Sequence, residues 1–141
     1  MKSNELAEEV AVDGFDSAAF TRNALSSWQN LASLVDHTIL KADATRGAVV
    51  KVCEEAAAYH FACAMVNPWW VALAHSILAG SGAKVGTVVG FPLGASLSVT
   101  KREETAELVK LGAHDIDMVI NIGLLKSGQN ALVEQDRKSV V

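Results

Sequence analysis

A β-α alternation repeated four times runs through this 141-residue chain and predicts an α/β protein built on a parallel sheet. Three observations carry that expectation. Strand-like runs begin near residues 34, 61, 84 and 115. Each is followed by a segment with helical spacing of apolar residues. Glycines punctuate the helix ends, as at Gly80, Gly82 and Gly112. Parallel neighbours require right-handed crossovers. A doubly wound open sheet and the first half of an eight-stranded βα barrel both satisfy this pattern.

The elements follow in order. Residues 1 to about 16 are polar, and Asp16-Ser17 is a helix cap. Phe20, Ala24, Trp28 and Leu31 then fall on one face of a single helix, expected to pack over the end of the sheet. Leu34 to Thr38 is the first strand. Thr45 caps a helix from about Arg46 to Tyr59, whose stripe is Val49, Val50, Cys53, Ala56 and Ala57. Phe61 to Val66 is a continuous apolar run, the mark of a strand buried on both faces. Asn67-Pro68 reads as an N-cap with proline at the first helical position, and the helix runs to about Ala79. Lys84 to Val89 is the third strand, followed by the loop Gly90-Phe91-Pro92-Leu93-Gly94. Ser98 to Leu111 is a helix with Glu103, Glu104 and Glu107 on its wet faces. Asp115 to Asn121 is the fourth strand, and a last helix starts near Gln129 and continues to Val141.

Composition excludes several classes. Half of the residues are apolar and a fifth are charged, which is globular composition rather than disorder. The net charge of −4 offers no basic stripe for nucleic acid. Two cysteines, Cys53 and Cys63, make no disulfide framework and read as buried thiols in a reducing compartment. No signal peptide is expected, because Glu5, Glu8, Glu9 and Asp13 interrupt the N-terminal stretch. No Asp, Glu, Lys or Arg occurs from Ala56 up to Lys84, yet Asn67-Pro68, His75 and Ser76 break that stretch. A buried strand followed by a helix explains it better than a membrane span. A cytoplasmic protein with no membrane and no nucleic-acid partner is expected.

Most chemical motifs are missing. No G-x-G-x-x-G opens a helix and no G-x-x-x-x-G-K-[ST] occurs, so the Gly90 to Gly94 loop is an ordinary βα turn. His37, His60, His75 and His114 lack metal-ligand spacing. Cys53 sits on an apolar helix stripe and Cys63 within a buried strand, where thiols are structural. No G-x-S-x-G elbow exists. The acids at strand ends stand out. Asp36 and Asp117 lie on strands whose carboxyl ends form the ligand crevice of an α/β sheet. Asp115 and Asp117 share one face of their strand. Asp115 starts the strand in water. Asp117 is either an internal salt-bridging acid or a site acid, and the pattern leaves both open.

Four separated motifs, in order, carry a family resemblance. They are Leu34-Val35-Asp36-His37-Thr38-Ile39-Leu40-Lys41, Met65-Val66-Asn67-Pro68, V-G-T-V-V-G-F-P-L-G from Val85 to Gly94, and G-A-H-D-I-D-M-V-I-N-I-G from Gly112 to Gly123. Leu125-Lys126-Ser127-Gly128 continues the match. From about residue 31 onward the chain resembles deoxyribose-phosphate aldolase. The resemblance implies the first four βα units of a TIM (β/α)8 barrel, preceded by a partly helical extension over residues 1–30. It implies reversible cleavage of 2-deoxy-D-ribose 5-phosphate to D-glyceraldehyde 3-phosphate and acetaldehyde through a lysine Schiff base, with no metal and no other cofactor. The proton-shuttling carboxylate of the family falls on Asp117. Asp36, Thr38 and Asn67 fall at substrate-site support positions. Met65 stands where the family often has cysteine, so no reactive thiol is expected there.

The resemblance also implies what these residues do not supply. The family's Schiff-base lysine lies on the sixth strand and its partner lysine on the seventh, whereas a complete barrel takes about 250 residues. Lys84 sits at the wrong end of its strand, Lys51, Lys101, Lys110 and Lys138 lie on helices, and Lys41 and Lys126 lie in loops. Amine catalysis wants a desolvated lysine. The expectation is an incomplete aldolase barrel that is inactive alone. The alternative is a non-catalytic half-barrel that binds a partner or self-associates through its exposed sheet edges. A receiver-like signalling domain is a third option and fits badly, because the strand from Lys84 to Val89 has no aspartate.

Overall fold

The computed structural model describes residues 14–140. The acids at Glu5, Glu8, Glu9 and Asp13 lie outside that range, as does Val141, although the last helix, expected to be still running there, already ends at Lys138 with Ser139 as its C-cap. Helix α1 is Ser17–Ala24 and α2 is Trp28–Ala32. Strand β1 is Asp36–Ile39 and α3 is Arg46–Tyr59. Strand β2 is Cys63–Val66, followed by a 3-10 turn at Pro68–Trp70 and by α4, Val71–Leu78. Strand β3 is Lys84–Val89, α5 is Ser98–Lys110 and β4 is Asp115–Met118. Two helices follow, α6 at Ile122–Lys126 and α7 at Asn130–Lys138.

The four strands are parallel, in the order β1-β2-β3-β4. Each new strand is added on the same side of the last. A doubly wound sheet reverses its strand order at a switch point, and no reversal occurs here. The arrangement is that of four consecutive units of a βα barrel.

Side-chain caps set the helix starts. Asp16 accepts from the Ala19 amide at 2.8 Å, Ser27 from Asn30 at 3.1 Å and Thr45 from Ala48 at 3.3 Å. The Ser27 cap also explains a correction. The single N-terminal helix expected across Phe20 to Leu31 is two helices, because the chain turns at Leu25 and restarts at Ser27. A second correction concerns Asn67, which makes no side-chain cap; its amide instead donates to the Lys41 carbonyl at 3.2 Å. A third concerns the segment after β4. The strand stops at Met118, three residues earlier than expected, since Asn121 caps the short helix α6 by accepting from the Leu124 amide. Lys126 is therefore the last residue of α6 rather than a loop residue.

Alternation along the strands divides two layers. Ala64, Val66, Val85 and Val89 pack against Val49, Cys53 and Ala56 of α3, Val71, Ala74 and Leu78 of α4 and Leu108 of α5. All four β2 residues are buried, as the apolar run predicted. Cys53 and Cys63 are both free and buried. Tight burial of so many small and branched side chains makes this layer the rigid support of the opposite face. The run from Phe61 to Ala79 is β2 and α4, and among the described residues no helix is long and apolar enough to cross a membrane.

Candidate active site

The face turned away from α3, α4 and α5 holds the strand acids. Asp36 pairs laterally with Cys63 and Thr38 with Met65. Met65 pairs with Gly86, Gly86 with Asp115, and Val88 with Asp117. Lateral partners in a sheet point the same way. Asp36, Thr38, Asp115 and Asp117 therefore share one face with Cys63, Met65 and Val88. Asp117 stands two residues nearer the carboxyl ends of the strands than Asp115. That end is where barrel enzymes place their chemistry.

The two acids of β4 differ in their partners. Asp115 forms an ion pair with Lys84 at 3.5 Å. Asp117 is exposed and makes no ion pair among the described residues. The salt bridge considered for Asp117 belongs instead to its neighbour at the strand start. Cys63 is fully buried beneath these carboxylates. Burial pushes its thiol up to about 12, and the charges of Asp36, Asp115 and Asp117 add to the rise. The side chain is thus a neutral spacer between acids rather than a nucleophile.

The supporting residues are partly engaged. The Thr38 hydroxyl donates to the Asp36 carbonyl at 2.8 Å. Asn67 ties the exit of β2 to the exit of β1 through the Lys41 carbonyl. The structure sets Asp36 and Asp117 on the sheet face that Cys63 shares, while the Thr38 hydroxyl and the Asn67 amide are spent on backbone carbonyls. His37 points to the helix layer, where its Nε2 donates to Glu55 Oε2 at 2.7 Å.

The loop after β3 does not cradle an anion through its two glycine amides. Gly90 donates its amide to the Glu104 carboxylate at 3.1 Å, and the Gly94 amide donates to the Gly90 carbonyl at 2.7 Å. Glu104 is accordingly half-buried rather than on a wet face. Gly94 has φ +65°, and a Cβ there would stand 2.0 Å from the Ile120 carbonyl oxygen. Only glycine lets this loop touch the exit of β4 so closely.

Lys101, one of the lysines expected on helices, is buried with 0% exposure. Its Nζ donates to the Gly94 carbonyl at 2.8 Å, the Val119 carbonyl at 3.0 Å and Asp136 Oδ2 at 2.6 Å. Asp136 is 4% exposed, and its Oδ1 accepts from the Ser98 hydroxyl at 2.7 Å. A cation one turn into a helix runs against the macrodipole. That misfit was the one signal in the sequence that Lys101 has a tertiary partner.

Four parallel strands in sequential order, with acids facing away from the helices, define a partial βα barrel of the enzyme type. Comparison with known proteins shows what the chain is similar to. No family model matches the chain. Deoxyribose-phosphate aldolases from Geobacillus sp. (strain WCH70) and Bacillus cereus (strain B4264) are each 54% identical to it over 112 residues, 79% of this chain and 50% of theirs. A crystal structure from Coccidioides immitis described as the same aldolase superposes with TM-score 0.78 and 32% identity, over 81% of this chain and 45% of that one. The tetrameric deoxyribose phosphate aldolase from Aeropyrum pernix gives 0.69 and 27% identity, over 87% of this chain and 54% of that one. The chain is a homologue of the deoxyribose-phosphate aldolases, and it spans about half the length of the curated relatives it matches.

Proposed function

We propose that this chain supplies the first four βα units of an aldolase barrel that cleaves and forms 2-deoxyribose 5-phosphate, with Asp117 as the acid-base residue. The register that sets Asp117 beside Val88, on the face away from the helices, is the observation that carries the reading. A carboxylate there takes a proton from the substrate hydroxyl as the carbon-carbon bond breaks and returns one to the acetaldehyde carbon. Asp36 lies on the same face as a polar support, and Thr38 and Asn67 order the strand exits around it. The reaction belongs to deoxyribonucleoside catabolism in the cytoplasm.

The Schiff-base amine comes from strands beyond these residues. Among the described residues the buried lysine is Lys101, and its three donors are already taken. Lys41 and Lys126 are exposed, whereas amine catalysis wants a desolvated lysine. Residues 1–30 serve as an extension to the barrel proper; α2 crosses that boundary, and its Trp28, Leu31 and Ala32 line an open apolar cavity with Val35, Tyr59 and Phe61. In this chain alone, β1 and β4 each have one strand partner, and such edges pair with other chains. Self-association through them is the expected state.

Borohydride trapping with acetaldehyde tests the division of labour. The 141-residue chain should leave no site-selective mass adduct. A barrel completed with the second half of a relative should leave one adduct, on the added half. Selective trapping at Lys41 or Lys126 of this chain would overturn the reading.

A further inference from the structure

We infer that Lys101, neutralised by Asp136, is a positioning residue that fixes the exit of β4 and so the direction in which Asp117 points. The inference rests on the reading of Asp117 as the acid-base group. Among the described residues, strand β4 is hydrogen-bonded on one side, to β3. The Val119 amide still donates to the Val89 carbonyl at 2.9 Å, two residues past Asp117. The chain then turns into α6. At that turn the Lys101 ammonium grips the Val119 carbonyl with one donor and the Gly94 carbonyl with a second. It thereby bolts the β3–α5 loop to the β4 exit, where Gly94 already packs against the Ile120 carbonyl.

The third donor shows what balances the group inside the fold. An ammonium has three donors and no acceptor, and the third reaches Asp136 on α7. Asp136 cancels the buried charge and is itself held by Ser98 at the start of α5. One side chain thus joins the loop after β3, the exit of β4, and helices α5 and α7. A leucine would fill the volume but leave two backbone carbonyls and a carboxylate without this partner. Such a fully satisfied buried network specifies one arrangement of the segments it joins.

Amide hydrogen exchange on the intact chain tests this without reference to activity. In the unsubstituted protein the amides of Gly94 and Val119 should exchange with one shared protection, although they lie on separate segments. In Lys101→Met/Asp136→Leu, which removes both charges together, both amides should exchange about tenfold faster or more, while Val85 to Val88 keep their protection. Lys101→Arg, which retains the charge and its donors, should restore most of the protection. Unequal protection of the two amides in the unsubstituted chain would overturn the inference. So would unchanged exchange in the double variant, or an equal loss across the whole sheet. If the exchange results hold but Asp117→Asn leaves a completed barrel fully active, the positioning role stands and the acid-base reading falls.

Discussion

A Cβ placed on Gly86 would stand 2.4 Å from Cys63 Sγ and 2.7 Å from Met65 Cε. The absent side chain in β3 is what lets the β2 thiol and thioether fill the sheet face under the acids. Gly86→Ala forces both groups out of place. Overpacking of this kind costs about 1–3 kcal/mol, and thermal or urea unfolding should show a loss in that range. Pairing the substitution with Cys63→Ala should recover part of it.

Cys63 should be inert to alkylation while the protein is folded. Its thiol is pushed up to about 12 by burial first and by Asp36, Asp115 and Asp117 next, against an ordinary value of 9.0. A raised value means that the fold prefers the neutral thiol. The contribution is fully present below about pH 9 and is lost as pH rises toward 12. Iodoacetamide at pH 9 should label Cys63 slowly in buffer and rapidly in denaturant, read by mass. Equal labelling rates would mean that the carboxylate face is open to reagent down to the thiol.

His37 and Glu55 give an acid-side counterpart. The hydrogen bond from His37, and the nearby Lys51 charge, hold the Glu55 carboxyl below its ordinary 4.5. A depressed acid stabilises the fold above its unfolded value, and that contribution disappears as pH falls through the folded one. The melting temperature of Glu55→Gln should therefore trail that of the parent at neutral pH and converge with it as pH falls through the lowered Glu55 value. The pair tethers β1 to α3, so a constant gap at all pH values would assign its effect to packing instead.

The buried pair of Lys101 and Asp136 should be costly to break from one side. Lys101→Met leaves a carboxylate at 4% exposure without its cation. Removing one partner of a buried pair costs about 3–5 kcal/mol, whereas replacing both with apolar groups is often near neutral. Chemical denaturation should show the Lys101→Met loss, with most of it regained in Lys101→Met/Asp136→Leu.

Local patterns carried far in this chain. Lys84 to Val89 and Arg46 to Tyr59 occupy the predicted residues, because their apolar spacing and caps agree with their tertiary places. The break between α1 and α2 was hidden, since Phe20, Ala24, Trp28 and Leu31 keep helical spacing across a turn. Asp117 was legible as a strand acid near the carboxyl ends. Its freedom from ion pairs was not, because Lys84 is 31 residues away from Asp115 in sequence and meets it only through the β3–β4 register. The Lys101 network was least legible of all. It joins residues 35 apart on two helices, and no local period encodes such a contact.

The acid at Asp117 is tested most directly by the rate of deoxyribose 5-phosphate cleavage in a barrel completed with the second half of a relative. Asp117→Asn keeps the shape and most hydrogen bonding but cannot take a proton. Loss of a general acid-base group costs about a hundred- to ten-thousand-fold in rate, and Asp117→Asn should fall in that range with folding retained. Asp115→Asn, at the strand start and paired with Lys84, should change the rate far less. Equal losses from the two substitutions, or an Asp117→Asn protein that is merely unfolded, would make Asp117 a structural acid and contradict the account.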